Sequence, residues 1–332
     1  MTALRLGTRR SALATTQSTW VADRLRRAGH EVDLVEITTH GDVSTQALTA
    51  IGGTGVFAVA IRRAVLDDEV DLAVHSLKDL PTTPEPQLVV AAVPPREDPR
   101  DVLVARDGLT LGELPDGAVV GTGSPRRTAQ LNALGLGLDV RPVRGNVDTR
   151  IGLVRSGRCD AVVLARAGLS RLGRLEDVTE TLDPLQLLPA PGQGALAIEC
   201  RQDRADVVAL LAFLDDADTR VCVTAERAVL AALEAGCTAP VGALGEVVEG
   251  EAGIELSLRA FVGAEDGSAE LRRSLVGPVE DPAGLGRRLA QILLEDGAQD
   301  LAGHPPPPPD GIPRRAAALR IPSTPHHTEQ VS

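Results

Sequence analysis

Tyrosine is absent from these 332 residues, and only three Phe and one Trp stand beside that gap. A chain so poor in aromatics lacks the stacking platforms that single-stranded nucleic acids use. Cysteine is scarce as well: the four (159, 200, 222 and 237) show no C-x-x-C spacing, which suits free thiols in a reducing compartment. Histidine falls at 30, 40 and 75, then only in the tail at 304, 326 and 327. None of these sits with Cys or carboxylates at metal-ligand spacing, so no metal is expected. No apolar run reaches membrane-spanning length, and the opening M-T-A-L-R-L-G-T-R-R-S has no apolar signal core. These readings predict a cytoplasmic protein with no membrane partner. Lysine is nearly missing: of 34 Lys plus Arg, Lys78 alone is Lys.

What is present is globular in composition, 43% hydrophobic and 24% charged, with a net charge of −12. That balance argues against nucleic acid as a partner, and any anion site must be a local Arg cluster within an acidic molecule. The length suits two or three domains.

The pattern along the chain predicts α/β architecture. A strand over 3–8 is followed by a helix N-capped by Ser11 and ended by Gly29. A strand over 32–39, a helix over 56–68 and a strand over 71–77 complete a β-α-β-α-β order, which implies parallel pairing. A strand over 88–93 and the Pro-rich 94–99 hinge lead to a second α/β pattern. It has strands at 101–105, 118–123, 140–143 and 161–165, and helices from Pro125 and over 147–156. Gly-Thr with paired Arg recurs between strand and helix at 7–11 and 121–127, so two similar domains are expected to face a cleft. A return strand over 195–200 is expected to rejoin the first domain. From Thr219 a helix, three antiparallel strands and a last helix form a small α+β domain. The expected limits are 1–95 with 195–215, 100–190 and 217–302, followed by a disordered Pro-rich tail over 303–332.

Two places can carry chemistry. In D-L-A-V-H-S-L-K-D-L-P (71–81) a buried strand ends in His75, Ser76, Lys78 and Asp79, at the carboxyl end where open α/β sheets bind ligands. The plain alternative is a lysine that survived by chance at a strand end. The second place is the Arg set at 126, 127, 141, 144, 150, 155 and 158. Arg126 and Arg127 open a helix after Ser124 and Pro125, where free N–H groups and two guanidinium forks would make a carboxylate or phosphate site. Arg144 and Arg150 bracket the tight turn at 145–147, while Arg155 and Arg158 read as solvated helix-end charges. A salt-bridged surface is the competing reading. Cys237 follows Gly236 on a loop, where a thiol is open to alkylation; Cys159, Cys200 and Cys222 read as small hydrophobes. Local context alone leaves Cys237 either a covalent residue or an ordinary loop cysteine.

Taken together, T-R-R-S-A-L-A (8–14), G-D (41–42), G-x-G-V-F (53–57), A-V-H-S-L-K-D-L-P (73–81), R-E-D-P-R-D (96–101), G-T-G-S-P-R-R (121–127), R-G-N-V-D-T-R (144–150), L-A-R-A-G-L-S-R-L-G (164–173), L-P-A-P-G-Q-G-A (188–195), T-A-E-R-A (224–228) and E-A-G-C-T-A-P (234–240) resemble the porphobilinogen deaminase (hydroxymethylbilane synthase) family. The resemblance covers about residues 4–300. It implies two type II periplasmic-binding-protein-like domains around a cleft plus a small α+β C-terminal domain, working as a monomer. It implies porphobilinogen as substrate and a dipyrromethane cofactor held by a thioether at Cys237. Asp79 would be the catalytic carboxylate, with Lys78 beside it. Cofactor binding would fall to Ser124, Arg126, Arg127, Lys78 and Asp79. The substrate would meet Arg9, Ser11, Phe57, Arg144, Arg150, Arg171 and Gln193. The family pattern has basic residues or serine where this chain has His40, Ala50, Thr54, Val59 and Gly123. A divergent second copy with impaired elongation, binding anions or pyrroles, is the alternative.

Overall fold

The computed structural model describes residues 3–37, 56–233, 239–250 and 253–301, the side chains of Val56 and Phe57 excepted. Cys237, residues 42–55 with Ala50 and Thr54, His40, and the tail beyond 301 lie outside the described residues.

Three sheets organise the chain. The first is built from β1 (Leu4–Arg9), α1 (Ala12–Arg27), β2 (Val32–Ile37), α2 (Val56–Leu66), β3 (Leu72–Ser76) and β4 (Leu88–Ala92). The chain then crosses to β5 (Asp101–Ala105), β6 (Val119–Thr122), α3 (Pro125–Ala133), β7 (Asp139–Pro142), α4 (Val147–Arg155), β8 (Ala161–Ala165), α5 (Arg166–Arg171) and β9 (Glu180–Thr181). It returns through β10 (Leu196–Arg201) and α6 (Ala205–Leu211). The strand orders are β2-β1-β3-β10-β4 and β7-β6-β8-β5-β9. Each sheet is parallel except for its fourth strand, β10 in one and β5 in the other, which runs antiparallel to both neighbours. The expected parallel pairing therefore holds for three strands, and the antiparallel one is supplied where the chain passes between domains. The return strand does rejoin the first sheet. This repeated order is the type II binding-protein arrangement.

Burial explains the strands. Val102, Val104, Val162 and Leu164 pack on one face of the second sheet, and Leu103, Ala105, Ala161 and Val163 on the other. Runs buried on both faces read as continuous apolar segments.

The third unit comprises α7 (Ala217–Ala232), β11 (Val241–Gly250), β12 (Gly253–Gly263), β13 (Glu270–Pro278), α8 (Pro282–Glu295) and the short α9 (Ala298–Leu301). Alternate residues Leu256, Leu258, Ala260 and Val262 of β12 meet Leu285, Leu289 and Leu293 at helical spacing on α8. The two helices approach closely because Gly286 has no side chain; a Cβ there would stand 2.4 Å from Ala225 O.

Candidate active site

The β3 strand ends in a 3-10 turn, Leu77–Asp79, rather than continuing to Leu77. Leu77 and Leu80 are buried, Lys78 is half-buried and Asp79 is exposed. Asp79 forms one wall of a cavity of about 80 Å3 whose other polar lining includes Arg9, Ser11, Gln17, His75 and Ser76. Ser11 is spent partly on capping α1, its Oγ accepting from Ala14 N at 3.3 Å. Gln17 Nε2 donates to Ser76 Oγ at 3.0 Å. Arg9 is half-buried at the end of β1.

Beneath the turn, His75 Nε2 lies 3.4 Å from Glu199 Oε2, and Arg62 grips Glu199 at 2.9 and 2.8 Å. Burial alone would raise the Glu199 carboxyl; His75 and Arg62 overcome it and hold the group below its usual range. This buried ion pair fixes β10 against α2 directly behind the cavity.

A polar chain leads from the turn into the second domain. Lys78 Nζ lies 3.5 Å from Gln193 Oε1. Gln193, 1% exposed, donates from Nε2 to Asp101 Oδ1 at 2.8 Å and to Pro99 O at 2.6 Å. Asp101 then accepts from Arg126 Nη2 at 2.8 Å and Arg127 Nη2 at 2.7 Å. Burial would raise the Asp101 carboxyl, but the two guanidinium charges hold it far below the ordinary carboxylate range. Lys78 is pushed down, chiefly by burial; Asp79 works against that, and Arg127 and Arg126 add to it.

Arg126 and Arg127 are thus not the open forks the sequence suggested. Arg126 also donates to Leu188 O, and Arg127 to Val163 O at 2.9 Å. Their Nε atoms remain buried without a partner. The Ser124 hydroxyl makes no cap bond, although the residue occupies the N-cap of α3.

Arg150 is the clearest anion seeker. It is half-buried on α4, its Nε is unpartnered, and burial with Arg127 nearby lowers its guanidinium to about 10. Among the described residues it has no hydrogen-bond acceptor. Gly123 makes room for the Val143 carbonyl nearby: a Cβ there would stand 2.7 Å from Val143 O, while Arg150 Nη2, at 3.6 Å, would be in ordinary contact. The glycine in place of the family's serine therefore matches this chain's own packing. Arg144 is exposed before Gly145, whose φ is +102°. Arg171 donates to Gly194 O at 2.7 Å, and burial lowers it, with Glu97 opposing. Val59 is exposed. The unpartnered Nε atoms of Arg126, Arg127 and Arg150, with a Ser124 hydroxyl that makes no cap bond, fit a ligand with several carboxylates, as dipyrromethane is.

Asp101, Glu199, Gln17, Arg96, Glu226 and Arg227 went unassigned in the sequence. R-E-D-P-R-D and T-A-E-R-A held four of them, but a motif alone gives no partner.

Two family models match the chain: "Porphobilinogen deaminase, dipyromethane cofactor binding domain" over residues 4–209, and "Porphobilinogen deaminase, C-terminal domain" over 220–295. The porphobilinogen deaminase of Mycobacteroides abscessus is 59% identical over 305 residues, covering 90% of this chain and 99% of that protein. That of Mycobacterium tuberculosis is 59% identical over 303 residues, covering 90% and 98%. That of Nocardia farcinica is 57% identical over 328 residues, covering 97% and 94%. Solved structures match more loosely. A putative methionine-binding lipoprotein of Bacillus subtilis gives a TM-score of 0.40 at 14% identity, over 66% of this chain and 92% of that one, too loose to argue from.

Proposed function

The chain belongs to the porphobilinogen deaminase family, and from that premise we propose which of its residues do the work. The protein is a transferase of tetrapyrrole biosynthesis that joins four porphobilinogen molecules head to tail into hydroxymethylbilane, with release of ammonia. Relatives at this identity and coverage do not favour the reading as an anion-binding divergent copy.

Asp79 is the catalytic carboxylate. When the aminomethyl C–N bond of porphobilinogen breaks, nitrogen leaves as ammonia and a cationic azafulvene remains. A fixed carboxylate stabilises that charge and accepts pyrrole N–H hydrogen bonds. Forming the new C–C bond releases the ring proton. Asp79's place on the cavity wall beside Arg9 and Ser11 is the observation that carries this reading. Arg9, Ser11, Arg144, Arg150 and Arg171 receive the acetate and propionate groups, and Phe57 meets the substrate as an apolar wall. Gln193 serves the substrate indirectly, since its buried amide is occupied by Pro99, Asp101 and Lys78.

Dipyrromethane, when bound, supplies the ring carbon to which the first substrate is joined. Cys237 would hold it by a thioether, with Ser124, Lys78, Asp79 and the Nε faces of Arg126 and Arg127 around it. Residues 1–95 with 195–215, 100–190 and 217–302 would form the three domains, in a cytoplasmic monomer with neither nucleic-acid nor membrane partner. Among the described residues no helix is long and apolar enough to cross a membrane.

Intact mass of the purified protein, compared with Cys237→Ser, tests the attachment. The wild type should carry two pyrrole units that the variant lacks. A wild-type chain still unmodified after incubation with porphobilinogen would overturn it.

A further inference from the structure

The turn bearing Lys78 and Asp79 is too short to orient itself. It is a single 3-10 turn closed by Leu80 N donating to Leu77 O at 3.2 Å, and Pro81 next removes an N–H from the chain. Leu77 and Leu80 hold it from below, 3% and 1% exposed, in a cluster with Ala58, Val93, Ala197 and Val223. Two leucines fix its depth. Its carbonyl groups still need donors, as at any helix end.

Those donors come from the third unit. On α7, Arg227 Nη1 donates to Leu77 O at 3.2 Å and Leu80 O at 3.0 Å, and Nη2 donates to Pro81 O at 2.6 Å. One planar fork thus takes three carbonyl oxygens around the turn, which sets its rotation as well as its position. α7 is itself immobilised at the adjacent residue, Glu226, which is fully buried and hydrogen-bonded. The helix ends at Ala232, so one helix holds the Asp79 turn and stands five residues before Cys237 in the chain.

We propose that Arg227 is a positioning residue for the reaction: by clamping the 77–81 carbonyls it holds the Asp79 carboxylate in its place on the cavity wall. This rests on the reading of Asp79 as the catalytic carboxylate. Lysine, a point donor, can replace only part of the clamp.

The test compares holoenzyme Arg227→Leu, Arg227→Lys, Asp79→Glu, Asp79→Ala and the double variant Arg227→Leu/Asp79→Glu, with cofactor content fixed by intact mass. Arg227→Leu should lower kcat tenfold or more with KM changed less than threefold, and Arg227→Lys should recover part of that loss. The double variant should lose less than the product of the single losses, because both displace the same carboxylate. Hydrogen exchange at the Leu80 amide should speed up tenfold or more in Arg227→Leu made on a cofactor-free Cys237→Ser background. Wild-type kcat in Arg227→Leu, or strictly multiplicative losses, would overturn the proposal while leaving Asp79 in place. An active Asp79→Ala enzyme would instead remove the premise and the proposal with it. If Arg227→Leu fails to fold, Arg227→Lys decides alone: an unchanged kcat and unchanged Leu80 exchange would overturn the clamp.

Discussion

Arg96 and Glu226 meet in a paired hydrogen bond, Nη1 to Oε1 at 2.6 Å and Nη2 to Oε2 at 3.0 Å, with Glu226 fully buried. Glu226 also accepts from Gly192 N at 2.6 Å and Gly245 N at 2.8 Å, while Arg96 Nε donates to Gln193 O at 2.7 Å. Both chain crossings and the third unit are thus tied at one carboxylate. Removing one partner of a buried, hydrogen-bonded pair costs about 3–5 kcal/mol. Arg96→Leu should therefore lower the unfolding free energy by that much and shift the urea midpoint down accordingly, and an unchanged midpoint would contradict the tie.

Asp101 carries a second such lock. Asp101→Asn leaves Arg126 and Arg127 buried without their anion, at a cost of about 3–5 kcal/mol. The folded carboxyl is lowered, so its contribution is complete above the unfolded value near ~3.9 and declines as pH falls towards the folded one. Urea midpoints of wild type and variant should differ equally at pH 7 and about pH 5, and the gap should narrow near about pH 3. Equal midpoints at neutral pH would contradict the pairing.

Arg150 has no protein acceptor among the described residues, so its removal should cost binding rather than stability. A lost charged hydrogen bond is worth about 1.5–3 kcal/mol. Arg150→Leu should raise KM by roughly tenfold or more on the scale of about 1.4 kcal/mol per decade, with thermal stability kept. Unchanged steady-state KM would remove Arg150 from the substrate site.

Burial pushes the Cys200 and Cys222 thiols up to about 11, and it raises Cys159 as well. Cofactor-free protein treated with iodoacetamide at about pH 8, below the ordinary thiol value, should label at Cys237 alone. Peptide mapping that finds Cys200 or Cys222 labelled in the folded protein would contradict this.

Local signals in the sequence carried most of the fold. The Ser11 cap, the 161–165 strand and the 219-onward helix and meander emerge within a few residues of where periodicity and capping place them. The short helix Arg166–Arg171 escaped, because six residues containing Gly168 give too little period to read. Long-range pairing escaped more completely. Arg126 and Arg127 look like an open anion site from their helix start. What turns them inward is Asp101, placed opposite Ala165 by the antiparallel β5–β8 register. Arg227 lies 150 residues from Leu77 and finds it only through the docking of α7.

The central claim is that Asp79 carries the chemistry in this cleft. Its most direct measurement is the turnover of Asp79→Ala, purified with the cofactor present by intact mass and assayed for hydroxymethylbilane. Product should be nearly abolished, with the fold and cofactor content of the wild type. Normal turnover in that variant would contradict it.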